Sequence, residues 1–260
     1  MALIRMNFFS ESLGMCVPAT VILPQRTPEQ IQHGNLHPVL WLLHGASDDH
    51  SIWTRFTSIE RYANQLGLCV VMPSAHLSRY QNMAYGGKFY DYISRELPTI
   101  MRSFFPLSGA RSQNFICGLS MGGAGSLRIG LSAPEQYGAI GCLSAGLSNF
   151  RADQMHDPAY VKGQLLVFGD RDPAGEMAEM QGIALQIIRD GRPTPRIFHS
   201  CGSEDFLLDQ AHATRDFFEG IDLNPFDYRY EQHPGAHTWD YWDAHIQQFL
   251  GYIKPMLEDI

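Results

Sequence analysis

One serine in the chain, Ser120, stands where a reactive nucleophile would be held. It occupies the centre of the segment GLSMG, between Gly118 and Gly122, with an apolar run before it and a run of helical spacing after it. A nucleophilic serine on a sharp strand-to-helix turn needs small neighbours, because its own backbone adopts a sparsely populated conformation. The alternative is an ordinary tight turn, in which Ser120 is only a small residue that fits. A nucleophile would require a base and an acid at matching places in the chain.

The base that would activate Ser120 is predicted to be His237. A serine hydroxyl is a poor nucleophile unless a histidine accepts its proton and a carboxylate orients that histidine. When the nucleophile follows a strand in this way, the chain order is serine, acid, histidine, and the histidine comes after the last strand. The segment EQHPGAHTWDYW offers His233 and His237. His233 precedes a proline close to the strand and is expected to be structural or solvated, whereas His237 opens the final predicted helix.

The acid is predicted to be Asp205, chosen by topology from two similar segments. VFGDRDP supplies Asp170 and Asp172, and HSCGSEDFLL supplies Glu204 and Asp205. One helix and one strand should separate the acid from the histidine, and only the second segment leaves that interval. Glu204 is kept as the neighbouring alternative, expected to point outward. Asp170 and Asp172 are interpreted as turn formers before a proline.

Two backbone N–H groups are predicted to stabilise the oxyanion that forms during attack. One belongs to Met121, the residue after the nucleophile, and the other to Ala46, in the loop LLHGASDDHSIW after an early strand. Gly45 lets that backbone approach a substrate oxygen closely. His44 is expected to brace the loop by hydrogen bonding. A metal-binding role is not expected for it, since no second ligand lies at a metal-like spacing. Trp53 is expected to pack beneath the loop.

The elements that must position these residues alternate along the chain. Near-continuous apolar strands alternating with helices predict an α/β fold: a mostly parallel central sheet with helices on both faces. Ligands of such sheets bind at the carboxyl ends of the strands, where Ser120 falls. No linker or repeat divides the chain, so residues 1–260 are predicted to form a single domain. The predicted strands are 16–24, 37–45, 68–75, 113–119, 139–147, 195–202 and 226–235, and the predicted helices are 94–105, 121–132, 176–188, 207–221 and 237–257.

Composition narrows the classes of partner. The chain has 260 residues, 45% of them apolar, and a formal net charge of −8. That charge argues against nucleic acid or an anionic membrane as partner. No run approaches the roughly 20 apolar residues of a membrane span, and the first residues carry no secretory signal pattern, so a cytoplasmic location is expected. Five cysteines in mostly apolar surroundings indicate reduced thiols, with neither disulfides nor a zinc site.

Four segments in one order resemble a known family. LLHGASDDHSIW, ICGLSMGGAGSLRIGL, CGSEDFLL and PGAHTWDYWD are together similar to the esterase-D-like α/β-hydrolases, most closely the small bacterial tributyrin esterases, which are related to S-formylglutathione hydrolases. The resemblance implies an α/β-hydrolase fold and cofactor-free, metal-free hydrolysis of small-molecule esters with short acyl chains. It places Ser120, Asp205 and His237 in the triad, with Ala46 and Met121 as oxyanion donors. Homo-oligomers are also common in that family, so one is expected here.

The substrate is less well defined than the reaction. The same machinery would serve an S-formylglutathione-type thioesterase, a feruloyl or acetyl-sugar esterase or an acyltransferase, and a non-catalytic hydrolase fold would show a damaged triad. Segment 164–190 matches the family only loosely, so it could carry substrate-specific contacts or a short cap. Tyr80, Tyr85, Trp239 and Trp242 could line an acyl or aryl pocket, but several of them are expected in the core.

Overall fold

An eight-stranded sheet runs through the computed structural model, which describes residues 1–258. Its strand order is β1-β2-β4-β3-β5-β6-β7-β8. β1 and β2 pair antiparallel, as do β2 and β4, and every other neighbouring pair is parallel. The mostly parallel sheet predicted from the sequence is therefore confirmed. The strands are β1 (Ala2–Ser10), β2 (Met15–Leu23), β3 (Val39–Leu43), β4 (Cys69–Pro73), β5 (Asn114–Leu119), β6 (Ala139–Leu143), β7 (Arg196–Gly202) and β8 (Arg229–His233).

Helices cover both faces of this sheet, as predicted. Because side chains alternate along a strand, Leu40 and Leu42 of β3 enter one core while Trp41 enters the other. The Trp41 side is covered by α5, α6, α8 and α9, and the opposite side by α2, α3 and α10. The helices are α1 (Pro28–Gln32), α2 (Ile52–Phe56), α3 (Ile59–Gln65), α4 (Phe89–Asp91), α5 (Leu97–Phe104), α6 (Met121–Ser132), α7 (Pro158–Phe168), α8 (Glu176–Arg189), α9 (Leu208–Glu219) and α10 (Trp239–Glu258), with a π-helical segment at Tyr92–Glu96.

Some elements differ from the prediction for identifiable reasons. β1 was not predicted, because as an edge strand it is largely exposed and lacks a continuous apolar run. β6 ends at Leu143 instead of continuing to 147, since Ser144 turns the chain with φ of 51°. The helix predicted at 94–105 begins earlier, with α4 at Phe89 and the π-helical turn between. α7 was also missed. No helix of residues 1–258 is both long and apolar enough to cross a bilayer.

Candidate active site

Ser120 lies at the sharp turn between β5 and α6, at the carboxyl edge of the sheet. Its backbone has φ of 52° and ψ of −119°, and its N–H donates to the Leu143 carbonyl at 2.8 Å. Neighbouring backbone atoms leave no room for a side chain at either flanking glycine. A Cβ on Gly122 would lie 2.6 Å from the His44 carbonyl oxygen, and a Cβ on Gly118 would overlap the Gly122 carbonyl. A strained non-glycine residue persists only where its surroundings enforce it, so this turn is built to present the Ser120 hydroxyl.

The structure brings His237 and Asp205 to that hydroxyl. The His237 Nε2 atom lies 2.9 Å from Ser120 Oγ, and its Nδ1 atom lies 2.9 Å from each carboxylate oxygen of Asp205. With Nδ1–H donating to the carboxylate, Nε2 is left to accept the serine proton. The three side chains predicted from separate segments therefore form one hydrogen-bonded chain.

Asp205 is a buried carboxylate in the turn after β7. Burial acts to raise the pKa of this carboxyl, but the hydrogen bonds and charge of His237 outweigh it, and the pKa lies below its ordinary value. The Leu207 N–H donates to Oδ1 at 2.8 Å, and the Ser144 side chain also acts to lower the pKa of this carboxyl. Asp205 therefore stays ionised and fixed in orientation.

Aromatic rings fix the position of the His237 imidazole. The Phe206 ring lies 4.3 Å from it between centroids, and the Trp242 ring meets it edge-on at 4.9 Å. The indole N–H of Trp242 donates to Ser144 Oγ at 2.9 Å, so the tryptophan contacts the histidine and also fixes a side chain that lowers the pKa of Asp205. Trp242, one of the four aromatic residues considered as either pocket lining or core, is buried and also contacts the His237 ring.

The rejected candidates for acid and base lie elsewhere. Glu204 is exposed, as predicted. Asp170 follows helix α7 instead of a strand, and Asp172 accepts a hydrogen bond from the Ala174 N–H to cap a short 3₁₀ turn. His233, at the end of β8, lies 3.3 Å from Glu231 near solvent and does not reach Ser120.

Ala46 and Met121 face the same cavity as Ser120. Within residues 1–258, neither backbone N–H donates to a protein acceptor. Met121 is the first residue of α6, where the N–H groups have no partner inside the helix and the helix dipole is positive. Both groups are therefore available to a substrate oxygen.

His44 braces the loop that carries Ala46. The Ala75 N–H donates to His44 Nε2 at 2.8 Å, so Nδ1 carries the proton and donates to the Gly45 carbonyl at 2.7 Å. Burial lowers the pKa of His44 to about 4, so it stays neutral near pH 7. The buried Tyr80 hydroxyl donates to the His44 carbonyl at 2.9 Å. With both ring nitrogens engaged, His44 is not free to act as a second base.

A cavity of about 320 Å³ opens beside Ser120. Part of its wall is segment 164–190, which supplies Gln164, Val167 and Glu176. Arg79 and Arg128 lie on the same wall, and sequence analysis missed both of them together with Glu176. No local motif marks these three charged residues, because they come from three separate parts of the chain. Within residues 1–258, no group of histidine, cysteine and acidic side chains is arranged to hold a metal ion.

Known proteins resemble this chain over nearly its whole length. A family model described as "Putative esterase" matches residues 10–253. An acetyl esterase of Caldicellulosiruptor saccharolyticus is 28% identical over 268 residues, covering 98% of this chain and 99% of the relative.

Two solved structures from Staphylococcus aureus extend the comparison. The fluorophosphonate-binding serine hydrolase F is 32% identical with a TM-score of 0.86, and the match covers 97% of this chain and 98% of that one. An S-formylglutathione hydrolase is 31% identical with a TM-score of 0.78 and the same coverage.

Proposed function

The chain belongs to the esterase family and is a carboxylic ester hydrolase of the serine type, and from that premise we propose that Ser120, His237 and Asp205 carry the reaction. The observation that carries this proposal is the hydrogen-bonded chain from Ser120 Oγ through the imidazole to the buried carboxylate, each link 2.9 Å long.

The first half-reaction makes an acyl-enzyme. His237 Nε2 accepts the Ser120 proton as Oγ attacks the ester carbonyl carbon, and Asp205 stabilises the imidazolium. The N–H groups of Ala46 and Met121 donate to the oxyanion of the tetrahedral intermediate. Losing one such donor typically costs about 3 kcal/mol of transition-state stabilisation. When the intermediate collapses, the carbon–oxygen bond to the alcohol breaks, and the alcohol leaves with the proton from Nε2.

The second half-reaction releases the acid. His237 accepts a proton from a water molecule, whose oxygen attacks the acyl carbon through the same oxyanion contacts. The bond to Ser120 Oγ then breaks, and Nε2 returns the proton to the serine. The balance is one ester and one water converted to one acid and one alcohol, with no cofactor required.

The substrate class we propose is a small ester with a short acyl chain. The acetyl esterase relative and the modest cavity support short acyl groups. A thioester of the S-formylglutathione type is the second candidate, favoured by the hydrolase of that name at 31% identity. Rates on S-formylglutathione and on 4-nitrophenyl acetate, measured side by side, distinguish the two, and feruloyl and acetyl-sugar esters complete the panel.

The test of the mechanism is Ser120→Ala. The purified variant is expected to keep the wild-type melting temperature within a few degrees, to lose turnover of 4-nitrophenyl acetate and to lose covalent labelling by a fluorophosphonate probe. If the folded variant hydrolysed the ester at the wild-type rate, the proposed nucleophile would be wrong.

We also propose that residues 1–260 form one catalytic domain and that the protein is a cytoplasmic homo-oligomer. The sheet that takes strands from both ends of the chain supports a single domain. Free thiols at all five cysteines, four of them buried, support a reducing compartment. Family resemblance supports the oligomer. Cell fractionation and analytical ultracentrifugation test the last two statements.

A further inference from the structure

Four charged side chains border the cavity, in a chain whose net charge is −8: Arg79, Arg128, Arg151 and Glu176. Arg151 is paired with the exposed Asp153 at 2.7 Å. Arg79, Arg128 and Glu176 expose only 20%, 9% and 6% of their side chains. Buried charges are costly unless they are paired. A buried charged side chain without a hydrogen-bond partner therefore marks a place where a substrate group of opposite charge would bind.

The Glu176 carboxylate already has its hydrogen-bond partners. Its Oε1 accepts from Gln81 Nε2 at 2.8 Å and from Arg128 at 2.9 Å, and its Oε2 accepts from the Ser148 hydroxyl at 2.8 Å. The nearest Arg79 nitrogen stands 3.8 Å from Oε2, beyond hydrogen-bond distance. Glu176 is therefore the partner of Arg128, and its attraction for Arg79 is weaker.

Arg79 donates no hydrogen bond to protein within residues 1–258, although four-fifths of its side chain is buried. Its guanidinium lies over the Phe168 ring at 5.6 Å, which orients it without supplying an acceptor. The backbone holds it rigidly: Arg79 and Tyr80 both have left-handed φ values, 53° and 56°, and the Tyr80 hydroxyl is tied to the His44 carbonyl. The Arg79 donors are thus positioned at the cavity wall and unused.

The position of this cluster relative to Ser120 follows from helix geometry. Met121, Ala124 and Arg128 line the cavity at the i, i+3 and i+7 positions of α6, which lie on one helix face. A rise of about 1.5 Å per residue places Arg128 about 10 Å along the helix from Met121. The backbone of Arg128 therefore lies about two helical turns beyond that of Met121, on the face of α6 that lines the cavity.

Gln164 adds a second polar group without a partner. Its side chain is 95% buried on the cavity wall, and its Oε1 atom has no hydrogen-bond partner among residues 1–258. That oxygen is closed off from the cavity, whereas the NH₂ group, which also makes no hydrogen bond to these residues, can donate to an acceptor in the cavity.

We propose that this end of the cavity binds a carboxylate of the substrate, with Arg79 as its main partner, so that the preferred substrates are small esters bearing a carboxylate remote from the scissile bond. The inference rests on the proposed function and names its substrate class more closely. A guanidinium forms paired hydrogen bonds with a carboxylate, and Arg79 is the arginine at this wall whose donors reach no hydrogen-bond acceptor among residues 1–258.

The test compares matched anionic and neutral esters. On the alcohol side the pair is 4-acetoxybenzoate and 4-acetoxybenzamide; on the acyl side it is the 4-nitrophenyl monoesters of adipate and of adipamate, with uncatalysed hydrolysis subtracted. In at least one pair, kcat/KM for the carboxylate should exceed that for the amide by about tenfold or more, the scale of a charge-assisted hydrogen bond. The pair in which the carboxylate is preferred identifies which side of the ester occupies the cavity. Raising the salt concentration should reduce that preference.

Arg79→Gln should reduce the ratio of kcat/KM for the carboxylate to kcat/KM for the amide by about tenfold, towards unity. Arg79→Lys, which keeps the charge, should retain part of that preference. Arg95→Gln is the matched control, since it removes the same charge from a side chain that is 73% exposed and does not line the cavity; its ratio should equal the wild-type ratio. If wild-type enzyme hydrolyses the amides but shows no preference for either carboxylate, the inference fails and the proposed function stands. A preference that persists in folded Arg79→Gln also overturns it. No turnover of any ester would instead overturn the proposed function.

Discussion

Replacing Asp205 with asparagine should inactivate the enzyme without unfolding it. The substitution keeps the shape of the side chain but removes its charge. The Leu207 N–H donates to Oδ1 at 2.8 Å, so the carbonyl oxygen of an asparagine would stay on that side. Its NH₂ group would then occupy the Oδ2 position, 2.9 Å from His237 Nδ1. Nδ1 also lies 2.9 Å from the Oδ1 position, so the Nδ1 proton keeps an acceptor there, but the NH₂ group repels that proton and donates to an unprotonated Nδ1. The substitution therefore favours the tautomer that carries its proton on Nε2.

The size of the loss follows from that change of tautomer. An imidazole protonated at Nε2 donates to Ser120 Oγ instead of accepting from it, so the population able to act as base becomes very small. The imidazolium also loses the carboxylate that stabilises it across 2.9 Å in a buried site. In a serine protease triad the equivalent change lowers kcat by about 10⁴-fold. We therefore expect kcat to fall by about 10³- to 10⁴-fold, or about 4 to 5.5 kcal/mol, with a much smaller change in KM.

The assay is steady-state hydrolysis of 4-nitrophenyl acetate, with circular dichroism to show that the variant is folded. Glu204→Gln is the matched control, because it removes one negative charge from an exposed side chain at the neighbouring position. Its kcat should stay within about twofold of the wild-type value. The reasoning would be refuted if folded Asp205→Asn kept a tenth of wild-type kcat, or if Glu204→Gln lost as much as Asp205→Asn.

Three further predictions concern packing, pH and the cavity. Gly122→Ala should lower the free energy of unfolding by about 2 kcal/mol or more, because the added Cβ would lie 2.6 Å from a backbone oxygen. Urea titration measures this change. Gly251→Ala is the control: a Cβ there has nothing within 4 Å, so the substitution should be neutral or stabilising. His44 and His199 are buried with pKa values lowered to about 4, whereas in the unfolded chain each binds a proton near pH 6.5. The free energy of unfolding should therefore fall as pH drops from 6.5 to 4, by about 1.4 kcal/mol per pH unit for each histidine, and urea titrations across that window measure it. Ala124→Leu should narrow the cavity and so lower kcat/KM more for an ester with a six-carbon chain than for one with a two-carbon chain on the side that occupies the cavity; esters of matched chain length on the acyl and alcohol sides measure it.

The contact between the proposed nucleophile and its proposed base was predictable because local sequence encodes their geometry. Ser120 sits between glycines that the turn requires sterically, and that requirement is visible in five consecutive residues. His237 could be chosen over His233 because chain order and strand position favoured it. The choice of Asp205 needed one more step, counting the elements between acid and histidine, and α9 and β8 fall in that interval as expected.

The cavity was not predictable in the same way. Arg79, Arg128 and Glu176 meet only through the tertiary fold, and each has an ordinary sequence neighbourhood. Helix α7 was missed because its segment PAYVKGQLLVF is apolar around most of its circumference, with no clear 3.6-residue stripe. Periodicity identifies helices that bury one face. It does not identify a short helix that covers a cavity and leaves Leu165 exposed to solvent.

Helix α6 explains why the chemistry and the substrate contacts are coupled in this fold. Its first residue, Met121, is a proposed oxyanion donor and lines the cavity beside Ser120, and the same helix face continues along the cavity through Ala124 and Arg128. Its Gly125 has no side chain, and the Tyr80 ring packs against that backbone. Tyr80 in turn holds the His44 carbonyl, two residues before Ala46, and lies next to Arg79 in the chain. A shift of α6 would therefore displace both proposed oxyanion donors and the proposed carboxylate site together.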